Sequence, residues 1–181
     1  IISDSSAIIH YLEKKIPEPR LIPDDLTERA QTHLIDDWAN TTLAKAVRNN
    51  LIKAAMSDES LREALLPQEI PNALKGFIKV IPCEVINEIG DVIGNNEDLA
   101  LLRSLEELNN LVEKKKWIIG DCLSIADISV AAQISLIKFP KSSGECLANK
   151  GSKSLANNPK LKRLFTWRDE IDIYLNQLKP Q

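Results

Sequence analysis

The sequence predicts an all-α protein, and three observations carry that prediction. Apolar residues recur at helical spacing over long stretches, prolines and capping residues fall at the ends of those stretches, and no period-two alternation of any length occurs. The chain has 181 residues, enough for one sizeable domain that buries roughly 70% of the surface its unfolded form exposes. Its 44% hydrophobic and 27% charged residues are ordinary for a globular protein, and six glycines leave few places for tight hairpins.

In chain order, Ser3-Asp4-Ser5-Ser6 leads into Ala7, Ile8, Ile9, Tyr11 and Leu12, a short helix that breaks at Pro17 and Pro19. The segment EKKIPEPRLIPDD reads as a linker held extended by its prolines, with Asp24 or Asp25 placed to cap the next helix. From Leu26 to Met56 the pattern is one long helix. Leu26, Ala30, Leu34 and Trp38 recur every fourth residue and the stripe resumes at Leu43, Val47 and Leu51, so a phase slip and a bend are expected at Ala39-Asn40-Thr41-Thr42.

A short helix over Ser60 to Leu66 precedes Pro67, and another spans Pro71 to Ile93 with a break near Pro82. Leu99, Leu102, Leu105, Leu108 and Val112 mark an amphipathic helix that begins near Asn96 and closes in Lys114-Lys115-Lys116, cations suited to a helix C-terminus. From Ile125 to Ile137 the chain is apolar on nearly every side, which predicts the central, buried helix of a bundle. KFPKSSGECLANKGSKSLANN reads as a long polar surface loop. The last helix takes Asn158 as cap and Pro159 at its first position, with Leu161, Leu164, Phe165, Ile171, Leu175 and Leu178 on its inner face.

Charge and composition exclude several functions. The net charge is −3 and the basic residues are scattered, which argues against nucleic acid as a partner. No apolar run approaches the roughly 20 residues a membrane span needs, and no signal peptide opens the chain. Three distant cysteines, Cys83, Cys122 and Cys146, fit free thiols in the cytosol, with Cys122 expected to be buried and inert. His10 and His33 lack partners at ligand spacing, so no metal site is expected. Asp36 and Asp37 are helix neighbours about 100° apart and cannot share a proton.

Two local motifs are more specific. Leu123-Ser124-Ile125-Ala126-Asp127-Ile128 is a capping box with a hydrophobic staple: Ser124 and Asp127 satisfy each other's amides at the start of a buried helix, where water is excluded. That is a structural role for Ser124 and Asp127. The other motif is the opening Ile1-Ile2-Ser3-Asp4-Ser5-Ser6-Ala7-Ile8-Ile9, a strand end, an acid and serines, then a helix.

Together with the run Gly120-Asp121-Cys122 before the box, the LIPDD linker and the final Asn-Pro helix, these motifs make the chain resemble the glutathione S-transferase family. The resemblance covers nearly the whole length in layout, although residues 57–97 match by helicity alone. It implies a remnant of a thioredoxin-like domain over residues 1–16, a linker over 17–25, and a helical C-terminal domain over 26–181. It also implies that Ser5, through hydroxyl and amide, holds the γ-glutamyl carboxylate of glutathione while Asp4 attracts its ammonium. A helix start favours an anion through its free amides and partial positive charge; without the resemblance, Asp4 or Ser5 reads simply as a cap.

In this family the long first helix of the helical domain helps build the pocket for a hydrophobic second substrate, which points to Trp38 and Thr41; packing alone would place Trp38 in the core. The family's catalytic hydroxyl or thiol and its cis-proline loop belong to a region ahead of Ile1, so no catalytic residue is assigned. The missing initiator methionine favours a fragment, with little activity of its own. A homodimer is expected for the parent. The resemblance also admits a protein-interaction module without transferase activity.

Overall fold

The computed structural model describes residues 5–16, 18–66 and 95–177. Helix α1, Ser5–Lys15, closes on Lys14 and Lys15, which complement the negative end of its dipole. Helix α2, Leu26–Trp38, is capped by Asp25, whose carboxylate accepts the amides of Thr27 at 2.9 Å and Glu28 at 3.0 Å. Asp25, not Asp24, is therefore the cap. A π-helical turn, Ala39–Leu43, leads directly into α3, Ala44–Ser57. The expected phase slip is this turn: a wider revolution absorbs an extra residue, and Leu43 and Val47 come back to the core.

Helix α4, Glu59–Ala64, is capped by Asp58, which accepts from the amides of Ser60 and Leu61 at 3.0 and 3.3 Å. Lys153 meets the same carboxylate at 2.8 Å and holds its pKa below the ordinary aspartate value. The chain continues through α5, Asn95–Lys114; α6, Ile125–Ser135; α7, Lys153–Ala156; and α8, Lys162–Gln177. A 3₁₀ turn, Pro159–Leu161, leads into α8, and the Asn158 side chain caps it by accepting from the Lys160 amide at 3.0 Å. The helix expected over 71–93 lies outside the described residues. So does Cys83.

Among the described residues there is no strand, only an isolated antiparallel bridge between Lys138 and Gly151. Helix α6 is the centre of the bundle, packing against α2, the π turn, α3 and α8, while α5 packs against α3 and α8. Ile125, Ala126, Val130, Ala131 and Ile134 are buried along it, and they join a core that includes Leu105 and Trp167. Burial of such side chains is the main favourable term of the fold.

Three expectations need correction. The stripe Leu26, Ala30, Leu34 does not face the core: Leu26 is 76% and Leu34 71% exposed, while Thr32 and Asp36 are buried instead. The buried Asp36 is tolerated because its carboxylate accepts from Asn40 Nδ2 at 2.9 Å and from the Ser129 hydroxyl of α6. On α5, Leu101 is buried where Leu99 was expected. On α8, Trp167 and Arg168 join the expected inner face.

The segment 138–157 is a folded excursion and not a simple polar loop. The Phe139 amide donates to the Lys150 carbonyl at 2.8 Å and the Asn149 amide to the Phe139 carbonyl at 2.9 Å, Ser152 N donates to the Ile137 carbonyl at 2.9 Å, and Phe139, Gly151 and Leu155 are buried. Arg168, 2% exposed, clamps its base by donating to the Lys138 carbonyl. Gly151 has φ +154°, and a Cβ there would lie 2.0 Å from the Ile137 carbonyl oxygen. Gly151→Ala is therefore expected to lower stability by about 3 kcal/mol, measured by chemical denaturation, whereas Gly144→Ala, with open space around its Cβ, should cost less.

Candidate functional site

The predicted glutathione-binding pair stands at the head of α1. Asp4 lies outside the described residues, and Ser5 is described by its backbone alone, as the first residue of the helix. What the structure does show is how that helix is held. Glu13 Oε1 accepts the Leu21 amide at 2.9 Å, and the Leu21 carbonyl accepts the amide of Ile125, the first residue of α6, at 3.0 Å. Arg29 of α2 donates to the carbonyls of Pro23 and Asp24 at 3.0 and 2.9 Å. The linker is thus fastened at successive peptides, which its proline content suggested only as stiffness.

The capping box is formed, both halves of it present at the start of α6. Asp127 Oδ2 accepts the Ser124 amide at 2.9 Å and the Ser124 hydroxyl at 2.8 Å, while Oδ1 accepts the Ile118 amide at 2.8 Å. The Ile118 bond is invisible to a motif read within one helix turn. Burial pushes the Asp127 carboxyl above its ordinary value, against the opposing pull of these donors.

Trp38 and Thr41, far less buried than core residues, come together on one cavity of about 490 Å³ between the π turn and the N-terminal half of α5. Leu101, Ala100 and Ser104 form its other wall, and Lys45 and Glu97 stand at it 4.0 Å apart. Thr41 Oγ1 donates to the Asp37 carbonyl at 2.7 Å, so its lone pairs remain for a donor in the cavity. The arrangement suits a largely apolar guest with a polar group or two.

A larger groove of about 920 Å³ runs between α1, the linker, the turn before α6 and the end of α8. Leu12, Ile16, Ile22, Trp117, Leu123 and Tyr174 make it apolar. Cys122 lies on this groove and is exposed, not buried as the sequence suggested. It occupies a turn set by Gly120 at φ +59°, whose missing Cβ makes room for the Glu28 carboxylate about 3.0 Å away. Ser124 and Asp127 hold the turn; Trp38 and Thr41 belong to the other cavity.

The chain superposes on two solved structures. A glutathione S-transferase from Rhodospirillum rubrum F11 superposes with a TM-score of 0.54 at 21% identity over 99% of this chain. The fold is that of a glutathione S-transferase helical domain. The beta-etherase LigF from Sphingobium sp. strain SYK-6 gives 0.56 at 23% identity over 94% of this chain. The chain spans 62% of the length of the first of these proteins and 69% of the second. No family model and no curated protein matches the sequence.

Among the described residues no group of His, Cys, Asp or Glu is disposed to hold a metal, and no helix is long and apolar enough to cross a membrane. Hydrogen bonding holds the turn that borders the larger groove. Asp127 provides a direct check on it. Replacing it by Asn turns one of two acceptors into a donor facing a buried amide, and Asp127→Asn should cost about 2 kcal/mol or more. Because its folded pKa is raised, the protonated Asp127 carboxyl contributes stability fully present below the unfolded value of 3.8 and lost on ionisation, as pH rises through the folded value. Urea titrations of the parent and Asp127→Asn between pH 3 and 7 should show this component in the parent only.

Proposed function

We propose that the chain is part of a protein that binds glutathione and presents it to a hydrophobic electrophile. The observation that supports this reading best is that the likeness to the first of the two solved structures covers 99% of this chain, and so takes in α1 and the linker as well as the bundle. In it, residues 1–16 close a thioredoxin-like domain, 17–25 link, and 26–181 form the helical domain. Ser5 holds the γ-glutamyl carboxylate at the positive end of α1, and Asp4 attracts the ammonium. Trp38 and Thr41 line the place of the second substrate, in the cavity against α5.

The contribution of these residues is proximity: two partners fixed side by side react as if at high concentration. Stabilisation of the thiolate is assigned to none of these residues. The same reading makes the protein a cytosolic homodimer, which light scattering tests directly.

A second reading has an observation of its own. Ile8, Tyr11, Leu12 and Ile16 on or just beyond α1 are between 42% and 61% exposed, an apolar strip suited to a protein contact. A non-catalytic interaction module would use that strip and have no need of glutathione. Calorimetry separates the two: glutathione should bind the parent chain, and Ser5→Ala should weaken it by about tenfold through loss of a hydrogen bond to a charged group. Equal titrations for the two proteins, or no binding by the parent, would favour the interaction module.

A further inference from the structure

The fastening of the linker has an unequal distribution. Arg29 holds Pro23 and Asp24 to α2, so those contacts lie within the helical domain and its approach. Among the described residues of the linker, Leu21 alone bonds to a helix on either side. Its amide donates to Glu13 on α1 and its carbonyl accepts from Ile125 at the head of α6, in a continuous sequence of carboxylate, peptide and helix amide.

We propose that Glu13 is a positioning residue, which through the Leu21 peptide fixes α1 to the N-terminus of α6 and thereby sets where Ser5, the first residue of α1, stands. The role at Asp4–Ser5 rests on the function proposed above; the coupling of α1 to α6 does not.

The physical argument is one of leverage and of scarcity. Glu13 lies two residues from the end of α1, and from Ser5 to Glu13 the helix rises about 12 Å. A small rotation at Glu13 therefore becomes a displacement of an ångström or more at Ser5. Among the described side chains, Tyr11 and Leu12 are nearly half exposed and Ile16 is 61% exposed, while Ile9 is half-buried, so packing constrains that rotation only loosely. A bond from a carboxylate to a peptide amide is charge-assisted and directional, and so it can fix an orientation that loose apolar contact leaves open. The Leu21 carbonyl also occupies one of the orphan amides of α6, so the two helices share a single peptide as a common support.

The test is amide hydrogen exchange on the full chain, with glutathione titration alongside it. Glu13→Ala should raise exchange of the Leu21 amide and of the Tyr11–Lys15 amides by about tenfold, the size expected for loss of a bond to a charged acceptor. Exchange in α5 and α8 should stay as in the parent, which shows that the bundle is intact. Glu13→Gln, which keeps an acceptor oxygen at the same place, should restore most of the protection and of the glutathione affinity lost in Glu13→Ala.

Exchange in α1 within twofold of the parent overturns the proposal. So does a uniform rise through α5 and α8, which marks a general stabilising residue, or a failure of Gln to restore what Ala removes. A parent chain that binds no glutathione sinks the proposed function, and the exchange pattern then decides the coupling by itself.

Discussion

A carboxylate with no exposure to solvent, Asp127, collects the amides of Ile118 and Ser124 and the Ser124 hydroxyl, and most of the arrangement around α6 follows from that one convergence. Helix starts leave amides without partners, and a buried start cannot use water for them. Here the box serves Ser124, the Leu21 carbonyl serves Ile125, and Ile128 donates to the Ser124 carbonyl at 3.3 Å. Each partner comes from a different direction. Satisfying the donors of α6 therefore also fixes the preceding turn and the linker, and an apolar helix can lie at the centre of the bundle without stranded polar groups.

The same economy governs several other buried polar groups, though not Thr32 Oγ1 and Asn50 Oδ1, which are buried without a hydrogen-bond partner. Asp36 on α2 is answered by Asn40 one turn on and by Ser129 across the interface. Asn109 Oδ1 of α5 accepts the Leu164 amide near the start of α8 at 2.9 Å, and Trp167 Nε1 donates to the Lys116 carbonyl at 2.8 Å. Arg168 is held by the Lys138 carbonyl and by Asp169, whose carboxylate it meets at 2.8 Å. Burial pulls the Arg168 pKa down from its usual value, and the neighbouring carboxylates of Asp169 and Asp172 oppose that pull. Apolar burial supplies the attraction between helices, and these few bonds select which face of each helix is presented.

How much of this the sequence disclosed depended on how local the cause was. The box at Ser124 and Asp127, the cap at Asn158, a cap at Asp24 or Asp25, and the central place of α6 were legible, because each is written within a turn or two of one helix. The exposed Leu34 and the buried Thr32 were not, because a fourfold apolar recurrence names a face without saying which neighbour that face meets. Glu13 and Ile118 carried no signal at all: their partners lie eight and nine residues away through irregular chain. Of the site, Trp38 and Thr41 were singled out through the resemblance and both line one cavity, whereas the cavity's second wall on α5 had no mark in the sequence.

The π turn at Ala39–Leu43 means that α2 and α3 are not one helical wheel but two, set against each other in rotation. One residue corresponds to about 100° around a helix axis. A single-residue deletion that restored regular α-helix there would have to turn one half against the other by that angle. Asp36 would then leave Ser129, or Leu43 and Val47 would leave the core, and Trp38 and Thr41 would no longer share a wall. The extra residue acts as a spacer in angle, by which one continuous rod serves a polar seam at one end and an apolar one at the other.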